Sequence, residues 1–189
     1  MIRLVHYNLY EYSEDAVKVA NSTSRQGGAT SMLNGVPKSL CLKYILEHED
    51  FFRDKSILDF GAGKLALQTK YLLSLGFEDV IAYDFGTNLN DGIHDPNALR
   101  RKYDVIMASN VLNVSSSESM LRETLMDMKK ASKPGTVIVC NYPNTPRKWT
   151  ENGKPVPSKT VKGIVEEVFG TEPSLVAGTN SAPVWELTV

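Results

Sequence analysis

From Ser56 to the end of the chain, short apolar runs alternate with stretches of helical period. SILDFGAG predicts a buried strand ending in glycines, KLALQTKYLLSLGF an amphipathic helix closed by Gly76, and DVIAYDF a second strand. PNALRRK predicts a short helix, and YDVIMASNVLN a third long strand with its following loop. SSSESMLRETLMDMKKASK predicts a helix with a serine-rich start and a basic end, as capping and the helix dipole favour. TVIVCNY predicts another strand and SKTVKGIVEEVFG a helix ending at Gly170. Strands separated by helices predict parallel pairing through crossovers, with helices on both faces of one sheet. The last two runs, PSLVAG and APVWELTV, are parted only by a short turn and so predict an antiparallel pair.

Upstream, KSLCLKYILEHEDFF places Leu40, Tyr44 and Ile45 on one apolar helical face, with Pro37 in the first turn where its missing N–H costs nothing. Residues 1–36 read as an N-terminal arm, with a short helix around Glu14 to Asn21. The glycine-containing stretch after it, around Arg25 to Thr30, suits a lid over a ligand. Residues 37–189 then form the main domain.

Composition narrows the picture. At 189 residues, with 42% hydrophobic and 23% charged positions, the chain fits one soluble domain without a separate recognition domain. Lys and Arg number 21 against 22 Asp and Glu, so the overall charge demands neither a nucleic acid nor a membrane. Cys41 and Cys140 read as small buried hydrophobes, and the histidines have no ligand spacing, so no disulfide or metal is expected. MIRLVHYNLYEYSED lacks a long apolar run, so a cytoplasmic location is expected.

The segment with most chemistry is SILDFGAGKLA. Gly61 and Gly63 follow a strand and open a helix, with Ala66 in the third small position. Such glycines let the backbone turn tightly and approach a ligand. Asp84 closes the next strand roughly 20 residues on, where an acid accepts hydrogen bonds from ribose hydroxyls. Asp59 stands just before the glycines. An anionic pyrophosphate gains nothing from a carboxylate there, whereas the sulfonium and ammonium of S-adenosylmethionine do.

SILDFGAGKLALQTKYL, IAYDF, YDVIMASNVLNV and KPGTVIVCNYP resemble the first, second, fourth and fifth strand motifs of class I S-adenosylmethionine-dependent methyltransferases. The resemblance runs from about Ser56 to Val189, and the terminal antiparallel pair fits it. SNVLNV also resembles bacterial and phage methyltransferases associated with DNA modification. The family implies a Rossmann-like α/β fold: a doubly wound, mostly parallel sheet of seven strands or fewer, ending in an antiparallel hairpin. It implies S-adenosylmethionine as cofactor, held by Asp59, Gly61, Gly63 and Asp84. Phe85 and Tyr103 stand too close for the usual helix, third strand and helix, so a shrunken strand near GIHD and one short helix are expected. The adenine-contacting acid of that region is then Asp95, although an acid before Pro96 also suits a helix N-cap. His94 is read as a solvated loop residue, with a base or adenine neighbour as the alternative.

Ser109 and Asn110 end the fourth strand, on the edge where this fold presents the methyl group. Ser109 is assigned to the cofactor, and Asn110 to the acceptor, its carbonyl orienting an amine. Asn141 and Tyr142 follow the fifth strand on the same edge, Asn141 contacting the substrate and Tyr142 assisting Asn110. CNYPN resembles the Asn/Asp-Pro-Pro-Tyr motif of amino methyltransferases, but out of order and on another strand, so no role is carried over from it. TPRKWTENGKPVPSK predicts an inserted loop with a small hairpin at Asn152-Gly153. Arg147 and Trp149 within it are candidate contacts to a phosphate backbone or a base, a solvated hairpin being the other reading.

The expected reaction is methyl transfer to an N, O or C nucleophile of an acceptor the sequence does not identify, a nucleobase or a small molecule. The alternatives are a cofactor-binding sensor or partner subunit without catalysis, an NAD-dependent oxidoreductase, and an enzyme that cleaves S-adenosylmethionine.

Overall fold

The computed structural model describes residues 32–189. The helix and lid expected before residue 32 therefore lie outside the described residues. Met32–Leu33 (β1) and Val36–Pro37 (β2) pair antiparallel. Asn34 and Gly35 turn between them at φ 53° and 81°, the left-handed geometry that an Asn-Gly turn takes. Pro37 thus ends a strand and does not open a helix. The helix Leu40–Glu47 (α1) starts three residues later, where the Ser39 hydroxyl accepts from the Leu42 N–H as an N-cap. Its buried face is Cys41, Leu42 and Ile45, while Leu40, expected inside, is 46% exposed. A short helix follows at Glu49–Phe52 (α2).

The strands Ile57–Phe60 (β3) and Val80–Tyr83 (β4) are joined by the helix Leu67–Ser74 (α3). Tyr103–Ala108 (β5) leads through Glu118–Ala131 (α4) to Ser132–Asn141 (β6). Thr150–Glu151 (β7) and Lys154–Pro155 (β8) form the small hairpin, with Asn152 and Gly153 at positive φ as its turn. The helix Ser158–Phe169 (α5) ends at Gly170, followed by Ser174–Thr179 (β9) and Ala182–Thr188 (β10). The six-stranded sheet has the order β4-β3-β5-β6-β10-β9, parallel through β6 and antiparallel at β10 and β9.

Side-chain alternation assigns the two faces. Ile57, Val105, Met107, Val137, Val139 and Val184 pack with α1, α2 and α3, while Leu58, Phe60, Ile106, Ala108, Ile138 and Trp185 pack with α4 and α5. Both cysteines are buried, free thiols, as their apolar settings predict.

The expected third strand does not form. Residues 91–94 make a turn, Ala98–Arg100 a single 3-10 turn, and β4 is left at the sheet edge. The Asp95 N–H caps that edge by donating to Ala82 O at 3.0 Å. Among the described residues, no helix is long and apolar enough to cross a membrane.

Candidate functional site

Strand register sets the site. Phe60 pairs with Tyr83, and Ala108 with Cys140. The residues one step beyond, Gly61, Asp84, Ser109 and Asn141, therefore share the carboxyl edge of the parallel strands, where open α/β sheets bind ligands.

The glycine turn is fixed from both sides. Gly61 N–H and Ala62 N–H both donate to Tyr83 O at 2.9 Å. Gly61 has φ 75°, and a Cβ there would lie 2.5 Å from Val111 Cγ2. Gly63 has φ 72° with nothing within 4 Å of a Cβ, so its outer side is open. The helix does not start at the glycines. Residues 63–66 form a turn, Ala66 adopts φ 44°, and α3 begins at Leu67. Ala62 and Ala66 pack against Ala82, the close helix–strand approach that a third small residue permits.

Asp59, in β3 just before this turn, is wholly buried. Its Oδ2 accepts from Thr69 Oγ1 at 2.7 Å, and its Oδ1 has no partner. Burial raises its pKa from 3.8 to about 7, partly offset by the Thr69 hydroxyl and reinforced by Asp84. A carboxylate held this way is costly alone and cheap beside a cation.

Asp84 does more than the sequence suggests. Its Oδ2 accepts from Gly63 N–H at 2.6 Å, and its Oδ1 from Phe85 N–H and Asn88 Nδ2. Burial raises its pKa, against the lowering effect of those bonds and of nearby His94. A carboxylate accepts about four hydrogen bonds, so one position remains for a ribose hydroxyl. Loss of its side chain therefore also loosens the glycine turn.

His94 is not a solvated loop residue. It is 3% exposed, its Nδ1 accepts from Asn90 N–H at 3.1 Å, and its Nε2 lies 3.0 Å from Gly63 O. Asp95 instead accepts from Asn97 N–H at 2.8 Å, the local capping role, which directs its carboxyl into its own turn.

At the neighbouring strand ends, Asn110 and Asn141 form a reciprocal pair. Asn141 Oδ1 accepts from Asn110 N–H at 2.6 Å, and Asn141 Nδ2 donates to Asn110 Oδ1 at 2.9 Å. Asn110 has φ 59° and is exposed, whereas Asn141 is 5% exposed. Ser109, also buried, is 2.8 Å from Ser39 Oγ and so anchors the start of α1 to this edge.

Three assignments change at this edge. Tyr142 is 2% exposed, its hydroxyl donates to Val156 O at 3.1 Å, and Arg147 stacks on its ring at 4.1 Å. It supports the edge without offering a surface to an acceptor. Trp149 is 8% exposed and belongs to the core, so it is not free to stack on a base. The Arg147 guanidinium donates to the carbonyls of Pro143, Tyr142 and Ser181, which binds it to the protein rather than to a phosphate. Arg147→Ala is accordingly expected to lower stability by about 2 kcal/mol, the scale of hydrogen bonds from a charged donor. Urea denaturation checks it, and unchanged stability would return this arginine to the list of ligand contacts.

Sequence reasoning missed Thr69, Asn88 and the pairing of the two asparagines. A hydroxyl on the sheet-facing side of α3, beside a buried acid, was the available signal for Thr69. Among the described residues no set of three His, Cys, Asp or Glu side chains is placed to hold a metal ion.

The geometry fits S-adenosylmethionine: open space over Gly63, a partnerless buried carboxylate oxygen on Asp59 at the end of the strand that leads into the turn, and a spare acceptor on Asp84. The family model described as "Methyltransferase domain" matches residues 36–169. No protein of curated function matches the sequence. Among solved structures, an S-adenosylmethionine-dependent methyltransferase from Bacteroides fragilis, in complex with S-adenosyl-L-homocysteine, has a TM-score of 0.58 at 14% identity, covering 87% of this chain and 81% of that one. A TehB-like methyltransferase from Corynebacterium glutamicum has a TM-score of 0.58 at 17% identity, covering 93% and 96%. The 1,6-didemethyltoxoflavin-N1-methyltransferase of Burkholderia thailandensis has a TM-score of 0.55 at 14% identity, covering 90% and 86%. With the family model spanning most of its length and the six-stranded fold behind it, this chain belongs to the class I S-adenosylmethionine-dependent methyltransferases.

Proposed function

We propose that the acceptor is a small planar molecule methylated at an N–H nitrogen, a free nucleobase or similar heterocycle, and not a polynucleotide. The observation that carries this is the Asn110–Asn141 pair at the ends of β5 and β6. Asn110 Oδ1 spends one lone pair on Asn141 and keeps a second for a donor on the exposed side. The loop expected to meet phosphates has its aromatic ring buried and its guanidinium engaged, which speaks for a small acceptor over a polyanion.

Bound S-adenosylmethionine supplies a methyl group already activated by the sulfonium. The chain then has to position and to exclude water. Asp59 offsets cationic charge, Asp84 holds a ribose hydroxyl, and the Gly63 cradle admits the ligand backbone. Asn110 accepts the acceptor's N–H and so aims its nitrogen lone pair at the methyl. The methyl group would come from that sulfonium, and the exposed Asn110 Oδ1 holds the proton that the nitrogen gives up on the side where it can leave to solvent.

Asn110→Ala is expected to lower kcat by roughly 10- to 100-fold while changing cofactor affinity less than about twofold, since its contact matters when the nucleophile is aligned. Incubation with methyl-labelled S-adenosylmethionine and pools of heterocyclic amines or of DNA and RNA is the test. Label entering the polynucleotides, or full turnover by Asn110→Ala, sinks the proposal.

A further inference from the structure

His94 is absorbed neither by the expected reaction nor by the core. Gly63, the residue under the open cradle, is held at both of its polar backbone atoms by side chains from the segment that follows β4. Its N–H donates to Asp84 Oδ2 at 2.6 Å, and its carbonyl faces His94 Nε2 at 3.0 Å. The other ring nitrogen has a fixed role, because Nδ1 meets the Asn90 N–H, which can only donate. The ring must therefore be neutral with its proton on Nε2, which then donates to Gly63 O. His94 N–H also donates to Asn90 O, so the residue closes its own loop while reaching the glycine turn.

We infer that His94 is a positioning residue for the cofactor: as the neutral Nε2–H tautomer it clamps residues 86–94, which replace a third strand, onto Gly63 and holds the cradle in its binding shape. The reason for a side-chain clamp lies in the missing strand. A third strand would fix this region by a ladder of backbone bonds, whereas here β4 is the sheet edge. Besides the Asp95 N–H to Ala82 O bond, Asn88 on Asp84 and His94 on Gly63 tie this loop to the sheet edge and the glycine turn. Ile93 adds apolar contact to the Ala62, Ala66 and Ala82 cluster.

The test uses the full chain and S-adenosylhomocysteine as probe, by calorimetry at a single pH. His94→Leu, which keeps the bulk without the N–H, is expected to lose about tenfold in affinity, and His94→Gln, which offers an N–H to Gly63 O, to stay within about threefold of wild type. Wild-type affinity in His94→Leu, or equal losses in His94→Leu and His94→Gln, overturns the clamp. In ligand-free protein, His94→Ala should speed hydrogen exchange at residues 63–66 and 86–94, and His94→Gln should restore the first group. Unchanged exchange in His94→Ala overturns it too. If His94→Ala does not fold, the calorimetric comparison of His94→Leu with His94→Gln still decides. Failure of the wild-type protein to bind the probe at all would fault the cofactor assignment, a result distinct from binding that ignores His94.

Discussion

Asp59→Asn is expected to stabilise the ligand-free protein above neutral pH while weakening its hold on S-adenosylmethionine. The wholly buried carboxyl has a pKa of about 7 in the fold and an ordinary value of 3.8 when the chain unfolds. Between those values the folded state keeps a proton that the unfolded state has lost, so this group's contribution to stability falls as pH rises from about 4 to about 7. Above about 7 the ionised carboxylate carries the full penalty, on the order of 4 kcal/mol. Asparagine keeps an oxygen for the Thr69 hydroxyl and removes the charge. Its thermal stability should therefore exceed wild type at about pH 8 and converge with it near about pH 4. Binding behaves oppositely, because a cationic ligand favours the ionised form. Wild-type affinity should rise with pH through about 7, with proton release measurable by calorimetry in buffers of different ionisation enthalpy. The substitution should cost S-adenosylmethionine about tenfold or more and S-adenosylhomocysteine less, since the product lacks the sulfonium charge. Equal losses for the two ligands would show that Asp59 does not sense that charge.

Gly63→Ala and Gly61→Ala should fail in different ways, although both glycines have φ above 70°. An alanine at 63 meets no protein atom, so its stability cost is left-handed backbone strain, about 1–2 kcal/mol. Its methyl projects into the open cradle, where overpacking against a ligand costs about 2 kcal/mol, some 30-fold in Kd. An alanine at 61 collides with Val111 Cγ2, so the protein loses stability before any ligand is added. Val111→Ala should restore part of that stability in the double variant. Chemical denaturation and calorimetry on the three proteins separate the cases. A folded Gly63→Ala with wild-type affinity would place the cofactor elsewhere along the carboxyl edge.

Hydrophobic periodicity by itself determined the parallel strands, the helices between them and the antiparallel ending, because burial on both faces leaves a pattern that needs no partner to be read. The six strands of the main sheet lie where the apolar runs predict them, and the β7–β8 hairpin follows from the local chemistry of its Asn152-Gly153 turn. The acid-glycine segment likewise announced a ligand turn, since only glycine takes that backbone path cheaply.

Tertiary structure decided what each polar side chain does, because a hydrogen bond depends on a partner distant in sequence. Asp84 and His94 meet Gly63 across separations of 21 and 31 positions, and Asn110 meets Asn141 across 31. Nothing local marks those partners. The same holds for Trp149, Arg147 and Tyr142. The first two read as part of a basic, aromatic surface loop and the third as an acceptor contact at a strand end, yet both rings are buried in the core and backbone carbonyls occupy the guanidinium. The missing third strand completes the case. A short interval between β4 and β5 showed that something was reduced, but only the folded chain shows that a histidine side chain stands where backbone pairing is absent.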